Sequence, residues 1–262
     1  MRNRLPWSEM EATILASAMH FYDSASNGNR TRGGMKKASD IINTFRPYFP
    51  TSSSFRRASS LLSATHALSF YSLTLQHGVP FQPVSIRVSS DPLSLLDRVL
   101  DQNPHSYTKV DDLIDIAQNL VAAGLPVEDE SEGPAIEVGE RELAARKRRA
   151  EQRVLGMAIE ASLREDDFET AYSYVVNRLT PTAKPASTAP SAPTSRPTSR
   201  SGSVPHVSQR EPAANAEEEY TAWRAAFLAG RYHSFASSPP SLRRLEQRLE
   251  LLSQALLLAP PP

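Results

Sequence analysis

The residues best suited to ligate a metal or move a proton near neutral pH are the six histidines, His20, His66, His77, His105, His206 and His233. They are scattered, and none falls in a His-Glu-x-x-His or similar arrangement, so no metal site is expected. The absence of cysteine excludes disulfides, thiolate nucleophiles and cysteine-ligated zinc, and it fits a reducing compartment. Gly33-Gly34-Met35-Lys36-Lys37 has the residue types of a phosphate loop but lacks the spaced glycines and the preceding strand that would aim backbone N–H groups at a phosphate. The many serines include no Gly-x-Ser-x-Gly elbow, so nucleophilic catalysis has no support. Asp166-Asp167-Phe168-Glu169 carries carboxylates close enough for acid–base work. At a turn leading into a helix, however, such residues cap N–H groups and favour the positive end of the helix dipole. The expectation is a chain with no catalytic residue, no cofactor and no metal, which is not an enzyme.

Three further motifs bear on recognition. Arg146-Lys147-Arg148-Arg149 is a nuclear-localisation or nucleic-acid patch in one reading, a membrane-surface patch in another, and a solvated, ion-paired helix face in the reading preferred here. Asn29-Arg30-Thr31 matches a glycosylation acceptor, but no signal peptide delivers it, because the basic stretch Met1 to Trp7 runs into Glu9 and Glu11 and not into an apolar core. Serines and threonines beside Arg196 and Arg200 are either kinase targets or part of a passive linker.

The chain has 262 residues with 29 basic and 29 acidic side chains, so no overall charge draws it onto nucleic acid or an anionic membrane. No stretch approaches the roughly 18 uninterrupted apolar residues of a membrane-spanning helix.

The elements that would position any site are helical. Trp7, Met10, Ile14, Ala18 and Phe21 recur at helical spacing and end at Asn27-Gly28-Asn29, where left-handed conformations are expected. Met35, Ala38, Ile41, Ile42 and Phe45 mark a second helix, stopped by Pro47 and Pro50. A third opens at a Ser52-Ser53-Ser54 cap and is expected to run to Gly78-Val79-Pro80. It carries two stripes, Leu61, Ala64, Leu68, Tyr71, Leu75 and Phe55, Ala58, Leu62, Phe70, Leu73, and therefore packs between two neighbours. Phe81 to Ser90 alternates weakly and reads as an extended linker.

Asp91-Pro92 starts a helix through Leu93, Leu96, Val99 and Leu100, and Thr108 is expected to cap another through Val110, Leu113, Ile114, Ala117, Leu120 and Val121. Val154, Leu155, Ala158, Ile159 and Leu163, broken at Asp166-Asp167 and resumed at Phe168, Ala171, Tyr172, Val175 and Leu179, read as a helical hairpin. Tyr220, Trp223 and Phe227 begin a helix that breaks at Gly230, and Leu242, Leu245, Leu249, Leu252 and Leu256 form the face of the last one. Ala161 to Phe168 lines up with Ala225 to Tyr232 as a weak repeat in which an aromatic wedges between two helices.

The fold expected is an all-α solenoid of stacked helical hairpins with disordered loops. Its parts are a helical segment over 1–126, an acidic loop over 127–142, a hairpin over 143–179, a Pro/Ser/Thr linker over 180–214, C-terminal helices over 215–258 and a tail over 259–262.

Three stretches, Tyr22 to Lys36, Leu61 to Phe81 and Glu165 to Leu179, resemble the Sec thirty-nine domain family of secretory-pathway proteins, whose animal relative is the neuroblastoma-amplified sequence protein. The texture is that of a filamentous-fungal member. The family's domain is several hundred residues longer, so the chain reads as a C-terminal fragment or a truncated gene model. The resemblance implies a non-enzymatic subunit of the Dsl-type tether on the cytoplasmic face of the endoplasmic reticulum (ER), which captures retrograde vesicles from the Golgi. Its implied partners are the other tether subunits and the ER SNAREs, with membrane association through those partners, no nucleic acid and no small-molecule ligand. Family membership supplies no catalytic residue and no mapped partner-binding position. Two alternatives stay open: a generic helical-repeat scaffold of another intracellular complex, and a nuclear or nucleic-acid-binding protein acting through Arg146 to Arg149.

Overall fold

The computed structural model describes residues 6–76, 79–125, 139–179, 212–234 and 241–259. The acidic stretch 126–138, most of the Pro/Ser/Thr linker (180–211) and the terminal prolines 260–262 lie outside the described residues.

The described chain is all-α. Its helices are α1 (Trp7–Asp23), α2 (Gly33–Phe45), α3 (Ser53–Leu68), α4 (Val84–Val88), α5 (Ser94–Gln102), α6 (Val110–Ala122), α7 (Glu140–Arg164), α8 (Phe168–Tyr174), α9 (Pro212–Gly230) and α10 (Leu242–Leu258). The long helices pack serially: α1 on α2, α2 on α3, α3 on α6, α6 on α7, α7 on α9 and α9 on α10. One continuous hydrophobic cluster runs through the series. Helix α3 packs against both α2 and α6, burying Leu61, Ala64 and Leu68 of one stripe and Phe55, Ala58 and Leu62 of the other, while Phe70, placed in the second stripe by its spacing, lies beyond the helix end and is exposed.

The stripes of α5, α6, α7 and α8 are buried where the periodicity places them, from Leu93 and Leu96 through Val110, Leu113 and Leu120 to Val154, Ile159, Phe168 and Val175. Asp167 caps α8, its carboxylate accepting from the Thr170 N–H at 3.1 Å, and the last turn, Val175–Leu179, widens into a π-helix.

Four local expectations are corrected. First, α3 does not reach Gly78. It ends at Leu68, and the chain turns into a short antiparallel ribbon, β1 (Thr74–Gln76) with β2 (Val79–Pro80). Two carboxamides from the end of α5 stand in for a third strand. Asn103 accepts from the Ser72 N–H at 2.9 Å and donates to the Ser72 carbonyl at 2.8 Å, while Gln102 does the same at Thr74 with 2.8 and 2.9 Å. The backbone groups released by the helix are thereby satisfied.

Second, Phe81 to Ser90 is not extended, because Pro83 starts the short helix α4, which buries Ile86. Third, Thr108 caps nothing: it lies in a 3-10 turn, Ser106–Lys109, and its hydroxyl donates to the His105 carbonyl at 2.7 Å. Fourth, Asn27-Gly28-Asn29 does not supply a left-handed end to α1, which closes at Ser24 in right-handed geometry. A Cβ on Gly28 would lie 2.6 Å from the Thr65 carbonyl, so glycine is needed there for close approach to α3. Asn27 and Asn29 instead turn the loop by accepting from the backbone N–H groups two residues on.

Candidate protein-binding face

The sequence motifs for chemistry are not gathered into a site. Among the described residues no three His, Asp or Glu side chains group as metal ligands. His77 and His206 lie outside the described residues. His20 sits against Phe21, His66 against Phe70, His105 beside Glu165 and Tyr107, and His233 beside Arg248. Gly33-Gly34 opens α2 with Gly33 at φ +65°, and a Cβ on Gly34 would fall 2.3 Å from the Phe21 carbonyl. Gly34 thus permits α1 and α2 to meet, while Gly33 supplies the left-handed turn into α2. Within the basic run, Arg146 and Arg149 both bind Glu142, whose carboxyl is held below its usual range first by the Arg146 hydrogen bond. Asp167 turns inward to the Tyr107 hydroxyl at 3.2 Å, and burial, with that carboxylate, pushes the Tyr107 phenol up to about 12.

What the described residues leave exposed is an apolar surface built by α9 and α10. Helix α9 packs through Ala222, Ala225, Ala226 and Ala229, all buried. Small side chains let its backbone approach α7, where a Cβ on Gly156 would be 3.2 Å from the Thr221 methyl, and α10, where Leu252 fills the space beside Gly230. The aromatic residues of α9 are therefore left on its outer side. Tyr220 and Phe227 are exposed, forming with half-buried Trp223 a ladder of rings 5.6 and 5.8 Å apart, closed by Arg231 over Phe227 at 5.5 Å.

On α10 the buried row is Gln247, Leu251 and Ala255, and the leucine face is turned mostly outward, with only Leu252 reaching back to Gly230. Leu242, Leu249 and Leu256 are 73%, 64% and 80% exposed, with Leu245 exposed between them and Leu252 half-buried. The polar residues hold the helix this way round. Gln247 donates to Glu169 at 3.1 Å, Tyr172 donates to Glu250 at 2.6 Å, the Arg248 Nε–H donates to the Gly230 carbonyl at 3.0 Å, and Arg244 lies over the Phe168 ring at 5.3 Å. Beneath them the turn after α7 is tied to the end of α9, with Asp166 accepting from the Tyr232 and Ser234 hydroxyls. The two members of the sequence repeat thus converge on one turn.

Leu242, Leu245, Leu249, Leu252 and Leu256 are separated by alternating steps of three and four residues, the seam of a coiled coil. Burying an exposed leucine side chain is worth roughly 1.5–3 kcal/mol, so the stripe can support a helix-on-helix contact after the costs of association.

No helix among the described residues is long and apolar enough to cross a membrane. The family model described as "Secretory pathway protein Sec39" matches residues 1–262. The chain is similar to the "Protein transport protein sec39" of Schizosaccharomyces pombe, 28% identical over 184 residues, a match covering 68% of this chain. That same match spans 22% of the relative's own length. On this helical architecture and on a family match over its whole length, the chain belongs to the Sec39 family of secretory-pathway proteins.

Proposed function

We propose that this chain is a non-enzymatic scaffold segment of an ER tethering complex, acting in retrograde transport from the Golgi by binding other tether subunits and ER SNAREs. The observation that carries the reading is the outward leucine seam of α10 on a chain of the Sec39 family. A seam with alternating three- and four-residue spacing fits the matching stripe of a partner helix. The serial packing of α1, α2, α3, α6, α7, α9 and α10 supports a solenoid, whose repeated faces suit the binding of helical partners. Attachment to the cytoplasmic face of the ER would be peripheral, through those partners. The engagement of Arg146 and Arg149 by Glu142 supports the ion-paired reading of the basic run over a nucleic-acid surface.

Affinity purification of the tagged chain from its own cells tests the reading. Recovery of tether subunits and ER SNAREs is expected. Recovery of the subunits of an unrelated assembly would contradict the trafficking role, and release of a product from a substrate by the purified chain would contradict the non-enzymatic one.

A further inference from the structure

The first helix bears a cleft that the α10 seam does not involve. It lies between the start of α1 and the turn joining α2 to α3, has a volume of about 310 Å³, and is lined by Trp7, Glu11, Tyr48, Phe49, Pro50 and Ser52, with Ser8 and Thr51 at its edge. Trp7 shares the apolar stripe of α1 with the fully buried Ala18, yet it is 64% exposed, and Tyr48 is 66% exposed.

The walls of the cleft are fixed. Phe49 stacks on the buried Phe55 ring at 5.1 Å with 9° between planes, and Trp7 meets Phe49 edge-on at 5.6 Å. Trp7 and Glu11 stand one turn apart on α1, so the indole and the carboxylate share a face. Ser52 links the two sides. It caps α3 by accepting from the Phe55 N–H at 3.0 Å, and its hydroxyl donates to Glu11.

The charge of the cleft is one-sided. Among the described residues, Glu11 is the only ionisable carboxylate lining it, no Lys, Arg or His lines it, and Glu11 has no ion-pair partner. Aromatic faces attract cations through the ring quadrupole, and a carboxylate beside them adds a directional acceptor. A planar guanidinium satisfies both, stacking on an indole while its N–H fork meets a carboxylate, which an ammonium does less well. The space accommodates one side chain and its stem, not a folded element.

We propose that this cleft is a binding site for an arginine side chain presented by an extended segment of a partner protein. The assignment stands apart from the tethering role and from the α10 seam. A proline-rich peptide would use the same rings but would be indifferent to Glu11, which separates the two ligands.

The test uses the full chain carrying Trp223→Phe, which leaves Trp7 as its single tryptophan. Its fluorescence is titrated with the blocked tripeptide Gly-Arg-Gly, the matching citrulline peptide, and a blocked proline tripeptide. The expected result is saturable binding of the arginine peptide, weakened roughly fivefold or more by exchange of arginine for citrulline or by Glu11→Gln. Glu11→Gln keeps an oxygen for the Ser52 hydroxyl, and unchanged helical circular dichroism checks that the fold persists. Equal binding of the arginine and citrulline peptides, binding unaffected by Glu11→Gln, tighter binding of the proline peptide, or no saturable response would each overturn the proposal.

Discussion

The hydroxyl of Tyr232, at the end of α9, donates to the carboxylate of Asp166 in the turn between α7 and α8, at 2.9 Å. Asp166 occupies that turn at φ +60° and also accepts from Ser234 at 2.7 Å, so one carboxylate fastens two helical pairs. The hydroxyls of Ser234 and Tyr232 lower its pKa, in that order of weight. A depressed carboxyl stabilises the fold above its unfolded pKa, and that stabilisation is lost as pH falls through the folded value. Tyr232→Phe is therefore expected to raise the Asp166 carboxyl pKa and to make the α9 end open at higher pH than in the parent chain. Carbon-detected titration of the Asp166 carboxyl measures both; an unmoved pKa would show that the bond is absent in solution.

Tyr22 is buried with its hydroxyl 2.9 Å from both the Pro83 carbonyl and Thr65 Oγ1, and burial pushes its phenol well above the ordinary range. Tyr22→Phe leaves buried polar atoms on α3 and before α4 without that partner, at a cost of about 1–3 kcal/mol. Denaturant unfolding would show the loss as a lower midpoint with an unchanged slope.

Gly33 and Gly34 separate two effects of a methyl group. Gly34→Ala places a Cβ 2.3 Å from the Phe21 carbonyl, a backbone atom that cannot swing away, and should cost about 1–3 kcal/mol through forced separation of α1 and α2. Gly33→Ala meets no atom and carries only the left-handed penalty of about 1–2 kcal/mol. Backbone chemical shifts distinguish them: the first substitution moves signals in both helices, the second only around residue 33.

Gln102 and Asn103 complete the chain between α3 and α4 through side-chain amides. Gln102→Ala is expected to speed amide hydrogen exchange at Thr74, with a global loss of about 1 kcal/mol or less. Exchange at Thr74 no faster than in the parent would show that the ribbon is closed without the carboxamide.

The sequence is most legible where the strongest apolar stripe is also the buried one, as with Val110, Leu113, Leu120 and their neighbours on α6 and Val154 to Leu163 on α7. Legibility fails where a helix has two competing faces. On α10 the leucines make the stronger periodic signal, yet Gln247, Leu251 and Ala255 are buried, because close packing at Gly230 and the bonds to Glu169 and Tyr172 decide the orientation. On α9 the alanines are buried for the same reason, and the rings of Tyr220 and Phe227 are displaced outward. The end of α3 is illegible locally, since the groups that hold residues 72–74 lie about thirty positions further on, at Gln102 and Asn103.

The leucine seam of α10 is the centre of the account, and charge tests it directly. Leu249→Glu with Leu256→Glu changes two outward side chains, so thermal stability should stay within about 0.5 kcal/mol of the parent, whereas Leu251→Ala, on the buried side, should cost about 2–5 kcal/mol. The deciding measurement compares the proteins recovered with the parent chain and with the doubly charged variant from the same cells. Loss of the tether subunits and SNAREs from the variant, with its fold intact, is the predicted result; their undiminished recovery would contradict the claim and assign the seam to packing within a longer helical array.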